Sequence, residues 1–159
     1  MKFSGAIALF VALVCFAVDT FAAEALAACV ARKTMIDRAE VWVKNKVPYN
    51  QNGRYQGYRE DCSGYVSMAW GLAKPGRVTS TLPGVAKKIS KAELLPGDIL
   101  LDTRKHVVIF GGWANKQKTE YIAYEETRPG VGTVKRKTPY PYWYDKGAFV
   151  PYRYNNVCK

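Results

Sequence analysis

The chain has 159 residues, four cysteines, one histidine and a formal net charge of +11 at neutral pH. That length supports one domain with a core of its own, and the lone histidine and scattered cysteines exclude a zinc-finger spacing. A basic chain is drawn to polyanions such as walls, anionic membranes and nucleic acid, and charge alone does not choose among them.

Residues 1–27 read as a secretory signal peptide. Lys2 is a short positive n-region, residues 6–18 are almost wholly apolar, and Ala25-Leu26-Ala27 fits a small-residue cleavage site, with Ala22 and Ala25 as alternative ends. A membrane anchor is the competing reading; Asp19 and the shortness of the run argue against it, and no later run suits stable membrane insertion. Cleavage after Ala27 removes Lys2, Asp19 and Glu24, which raises the net charge by one. The remainder, residues 28–159, contains no repeat or linker and reads as a single exported domain, expected to be monomeric and to sit in an oxidising compartment.

Cys15 leaves with the signal, so Cys29, Cys62 and Cys158 remain, and an odd number leaves one thiol unpaired. A Cys29–Cys158 disulfide would staple the two ends, worth about 2–4 kcal/mol by loop closure, and would leave Cys62 free. Two alternatives stay open: Cys62 as a buried apolar cysteine, or Cys62 paired with one of the others.

Thr34 can cap a first helix, with Asp37 three residues on, and Ile36, Ala39, Val43 and Val47 share its apolar face. Pro48 ends it. Residues 49–60, rich in Gly, Asn, Gln and Tyr, read as a loop. A second helix is expected over residues 62–73, with Val66, Ala69, Trp70 and Ala73 inward and Lys74-Pro75-Gly76 as its stop.

The period then changes. Leu95-Pro96-Gly97-Asp98 is a turn that Asp98 fixes, and residues 99–101 form a short buried strand. Residues 106–111 form the next strand, residues 121–126 its hairpin partner and residues 133–137 another, with Gly130 and Gly132 turning between the last two. Residues 138–144 cannot be a central strand, because proline lacks an N–H. Residues 149–154 close the sheet. Helices first and strands after argue an α+β domain with an antiparallel sheet.

The chemistry concentrates in Asp61-Cys62-Ser63-Gly64-Tyr65-Val66, where a turn-rich stretch enters a helix. A helix N-terminus and a neighbouring imidazolium both favour a thiolate. His106, the sole histidine, starts a rigid Val-Val-Ile-Phe strand and is the only candidate base. A third group must orient the imidazole. Glu125 and Glu126 end the neighbouring strand and point to opposite faces, so one of them reaches the site; Glu125 is the first choice and Glu126 the second. Asp98 and Asp102 are further carboxylates near the histidine strand.

The Cys62 block, the Leu95-Pro96-Gly97-Asp98-Ile99-Leu100 block and His106-Val107-Val108-Ile109-Phe110 together resemble the NlpC-type cell-wall peptidases, secreted papain-like cysteine peptidases, over residues 47–127. The resemblance implies a papain-like fold with N-terminal helices on an antiparallel sheet, Cys62 as nucleophile at a helix N-terminus, and His106 as base. It implies that Asp61 and Ser63 help bind the peptide and that Tyr49, in Val47-Pro48-Tyr49, lines the site near the oxyanion. The chain departs from the pattern twice. Asn50-Gln51-Asn52-Gly53 replaces the usual Gly-Gly, and Ala123-Tyr124-Glu125 is closer to the Cys-His-Glu arrangement of CHAP amidases.

The implied reaction is amide hydrolysis in peptidoglycan stem peptides, after γ-D-glutamate at its bond to the diamino acid, with no cofactor and no metal. The anionic cell wall is the expected partner and nucleic acid is not. A CHAP-like N-acetylmuramoyl-L-alanine amidase, a non-catalytic cationic wall-binding protein and, more weakly, a lipid acyltransferase are the competing classes. Arg54 and Arg59 either clamp a substrate carboxylate or are solvated loop charges. Tyr140, Tyr142, Trp143 and Tyr144 either stack on substrate or cover the core.

Overall fold

The computed structural model describes residues 29–143 and 147–159. The signal-peptide reading, Cys15 and Tyr144 lie outside the described residues.

Helix α1 spans Arg32–Lys44 and starts from Ala31, which offers no side-chain cap. It is not capped by Thr34, nor does it run to Pro48: Asn45 closes it and Lys46, at φ 50°, turns the chain away. Its buried residues are Met35, Ala39 and Trp42, one position round from the expected face. Larger side chains gain more by burial, and Trp42 packs between Tyr55 and Tyr65 at 5.4 and 5.3 Å. Ile36 and Val43 flank the core half-buried, and Val47 is buried beyond the helix end.

Residues 49–60 do not form a loop. β1 (Asn50–Tyr55) and β2 (Tyr58–Glu60) make an antiparallel hairpin. Its two-residue turn, Gln56-Gly57, has positive φ at both positions, the geometry that matches strand twist. The strands carry few apolar residues and no buried face, so period-2 patterning is absent from them.

Helix α2 spans Cys62–Trp70 and ends at Gly71 in the left-handed region, short of the expected Ala73. All nine of its residues are buried, among α1, β2 and the strands His106–Trp113 and Glu120–Glu126. Gly64 is required here: a Cβ at that position would meet the Arg59 carbonyl oxygen at 2.1 Å. The first turn of α2 therefore lies directly on the backbone of β2.

Two 3-10 turns (Thr79–Val85 and Lys91–Glu93) and the short β3 (Ala86–Lys88) follow, which sequence patterning did not announce. β4 (Ile99–Asp102), β5 (His106–Trp113), β6 (Glu120–Glu126), β7 (Thr133–Pro139) and β8 (Val150–Tyr154) complete a six-stranded sheet in the order β3-β8-β4-β5-β6-β7. Every pairing in it is antiparallel. β8 does not close an edge; it lies between β3 and β4. β7, which ends at Pro139, is an edge strand, as proline demands.

The domain is thus mixed α+β. One sheet face packs Val107, Ile109 and Tyr124 against α1 and α2. The other packs Leu100, Val108, Phe110, Tyr121 and Ala123 with Phe149. Asp98 accepts the Leu95 N–H at 2.9 Å and also pairs with Arg32 and Arg153, so the expected turn residue additionally ties α1 to β8. Cys29 and Cys158 form the expected disulfide across 129 residues of sequence. Cys62 is free and buried. Among the described residues no helix is long and apolar enough to cross a membrane.

Candidate active site

Cys62 is the first residue of α2, and Asp61 is its N-cap. The cap is firmly made: Asp61 Oδ1 accepts the Gly64 N–H at 2.7 Å and the Ser63 hydroxyl at 2.9 Å. Helix geometry leaves the N–H groups at the first positions without intrahelical partners; with Gly64 taken by the cap, those of Cys62 and Ser63 are the ones not spent inside the helix. Cys62 itself is 7% exposed.

His106 opens β5, at the end of the sheet where the N-terminus of α2 meets it. Its Nε2 lies 3.1 Å from Glu125 Oε2, which commits that nitrogen to the carboxylate. Burial lowers the proton affinity of this imidazole. Hydrogen bonds to Cys62 and to Glu125, with the charges of both, outweigh burial and push the pKa up to about 9. The ring also rests against Tyr142 and Phe149, at 5.4 and 6.4 Å between centroids.

Glu125 is completely buried. Besides His106 it accepts from the Tyr142 hydroxyl at 2.8 Å and from Arg136 Nε at 2.6 Å. Burial alone would raise its pKa, but His106, Tyr142 and Arg136 hold the carboxyl below its ordinary range. A carboxylate with this many charge-assisted partners is fixed in orientation as well as in charge.

Glu126 points to the opposite face, as strand alternation requires, and does not touch His106. It shares a hydrogen bond with Thr133 Oγ1, its Oε1 has no partner, and burial with the nearby charges of Glu60 and Asp61 pushes its pKa up to about 7.

Tyr49 is half-buried at the near end of the β1–β2 hairpin, its hydroxyl accepting from Gln51 Nε2 at 3.0 Å. Burial raises its pKa, and the charges of Cys62 and Asp61 add to that. Asp61 and Ser63 sit close by, at 8% and 4% exposure, and their polar atoms are occupied within the protein. Arg59 occupies them. It donates to Asp61 Oδ2 at 2.8 Å, to Ser63 Oγ at 3.2 Å and to the Gly76 and Arg77 carbonyls. Arg59 is therefore neither a free clamp nor a solvated charge; it is the brace of the helix cap. Arg54 is exposed and donates to the Gly53 carbonyl. Asp102 pairs across the ladder from His106 and caps the following turn through the Arg104 N–H at 2.9 Å.

Arg136 and Tyr142 are the participants that sequence reasoning missed as partners of Glu125. Arg136 lies opposite Ala123 on β7, diagonal to Glu125 on the same face. Tyr142 belongs to the aromatic run, whose members divide: Tyr142 faces the site, whereas Tyr140 packs on Trp113 and Trp143 lies under Arg136. A recess of about 360 Å3 opens over His106, lined also by Lys105, Thr127, Arg128, Val131, Arg136, Tyr142 and Phe149. A second, of about 410 Å3, is lined by Tyr49, Asn50, Gln51 and Pro129.

Among the described residues no group of three His, Cys, Asp or Glu side chains could hold a metal ion. No protein-family model matches the chain, and no curated protein does.

Proposed function

We propose that this protein is a secreted, papain-like cysteine hydrolase that cuts amide bonds in peptidoglycan stem peptides, with Cys62 as nucleophile. The observation that carries the reading is one linked set: a free cysteine at a capped helix N-terminus, electrostatically coupled to the only histidine, which is held in turn by a buried glutamate. A purely structural cysteine has no need of that chain.

The Cys62 thiolate, formed as its proton passes to His106, attacks the carbonyl carbon. The oxyanion is held by the Cys62 N–H with Tyr49 beside it, at about 3–4 kcal/mol for a good donor. As the C–N bond breaks, the imidazolium gives its proton to the leaving amine and the acyl group stays on sulfur. Water then loses a proton to His106, attacks the thioester, and the thiol is restored with release of the acid. Glu125 keeps the imidazole oriented and stabilises its charged form; Arg136 and Tyr142 keep Glu125 so.

The γ-D-glutamyl–diamino acid bond is the proposed point of cleavage, and the basic chain suits a wall rich in carboxylates. The glutamate in third place favours a second reading, an N-acetylmuramoyl-L-alanine amidase of the CHAP kind. Mass spectrometry of fragments released from peptidoglycan separates the two by the mass of the product. The same digest with Cys62→Ala tests the hydrolase itself: the proposal expects fragments from the wild type and none from the variant; fragments in equal amount would remove Cys62 as nucleophile, and fragments from neither would leave only a cationic wall-binding protein.

A further inference from the structure

The two recesses beside the dyad differ in charge, and a single turn separates them. Residues 127–132 join β6 to β7; Arg128 and Val131 of this turn line the recess over His106, and Pro129 lines the one at Tyr49. The His106 recess carries Lys105, Arg128 and Arg136 and, among the described residues that line it, no acidic side chain. The Tyr49 recess is lined by a tyrosine, an asparagine, a glutamine and a proline, with no charge at all.

Catalytic geometry gives each recess a half of the substrate. The amine that leaves must lie against the group that protonates it, and in the proposed mechanism that group is His106. The acyl half then extends past Cys62 toward Tyr49. We propose that the His106 recess is an anion site for the departing half of the substrate, so that the amine released carries a carboxylate held by Arg128. This rests on the hydrolase reading above.

Arg128 is the residue suited to the task. Arg136 spends its Nε on Glu125 and its face on Trp143. Arg128 is exposed at the start of the turn, and its guanidinium makes no hydrogen bond or ion pair among the described residues. A guanidinium offers two parallel N–H groups in the spacing of a carboxylate. Tyr142 and Phe149 supply an apolar wall beside it, which shields such a pair from water on one side. The neutral Tyr49 side offers no equivalent, so charge also sets which way round the substrate lies.

The test uses pairs of stem-type peptides identical but for the amine half, which ends in a free carboxylate or in a carboxamide, with cleavage read by mass spectrometry. The acidic member is expected to have a kcat/KM about five- to tenfold higher, mostly through KM, and added salt to shrink the gap. Arg128→Gln is expected to bring the ratio near one and Arg128→Glu to reverse it. In parallel, calorimetry on the Cys62→Ala protein measures binding of the amine-half product in both forms, with inorganic phosphate as a competitor; the carboxylate form is expected to bind about five- to tenfold more tightly. Displacement by phosphate at low millimolar concentration would show that the site takes phosphate equally and overturn the assignment to a carboxylate. Equal kcat/KM and equal binding for the two peptides, or a preference that survives Arg128→Gln, would overturn the anion site while leaving the hydrolase intact. Absence of any Cys62-dependent cleavage would overturn the hydrolase reading and, with it, the division into departing and acyl halves.

Discussion

Glu126 offers the sharpest test of the electrostatics around the site. The perturbation is Glu126→Gln, the same shape without the titratable charge. Glu126 is fully buried on β6, bonded to Thr133, and the charges that act on it are those of Glu60 and Asp61, with no cation among them. Thr133 has a single hydroxyl hydrogen, and the Val47 carbonyl accepts it at 3.1 Å. The bond between Thr133 and Glu126 is then best made by a protonated carboxyl donating to the hydroxyl oxygen. Burial accordingly raises the pKa of Glu126 from 4.5 to about 7. Between those two values the native state keeps a proton that the unfolded chain has released, so stability must fall as pH rises through this window. At 1.36 kcal/mol per pH unit the fall amounts to about 3 kcal/mol, complete above about pH 7 and absent below about pH 4.5. Glutamine can make the same donation to Thr133 at any pH. Urea unfolding of both proteins, followed from pH 4 to pH 9, should therefore give stabilities that nearly coincide at the acid end and diverge by about 3 kcal/mol at the alkaline end, with the variant the more stable. Curves that run parallel across the range would refute the neutral-acid assignment. The consequence for the site is direct, because Val47 leads through Pro48 into Tyr49, and ionising Glu126 loosens the anchor of that segment.

Two further outcomes follow from the same geometry. As the only histidine, His106 gives an unambiguous NMR titration; its midpoint is expected near 9, falling toward 6.5 in Cys62→Ala and in Glu125→Gln, and a wild-type midpoint at or below 6.5 would contradict the paired arrangement. Its raised value also means that this pairing contributes fully below about pH 6.5 and is lost as pH rises through about 9. Gly64→Ala should cost about 2–3 kcal/mol or more in urea unfolding, because the added methyl meets backbone rather than a movable side chain; an unchanged midpoint would show that α2 does not rest on β2.

Much of the candidate site could be read locally. Asp61 precedes a helix and is its cap; Cys62 is its first residue; His106 is the first residue of a strand. The alternation of strand side chains separated Glu125 from Glu126 before any fold was in view, and the pair does divide between the two faces of β6. These are properties of neighbours one to four residues apart, which backbone geometry sets regardless of the rest of the chain. The same reasoning misjudged α1, where the identity of the inward face depended on what Trp42 could pack against, and the hairpin of β1 and β2, whose polar strands carry no period to detect.

The rest was settled by tertiary structure. Arg136 reaches Glu125 because β6 and β7 pair in one register out of several that their sequences permit. Tyr142 reaches it because the chain after β7 folds back over the end of the sheet. Arg59 is spent on the cap of α2 because β2 lies beneath that helix, a contact no spacing rule contains. The sequence by itself determined which groups are candidates for the chemistry and which local elements present them. Only the folded chain decided their partners, since a cross-strand or loop-to-strand contact depends on register and topology, and those follow from the burial of the whole core.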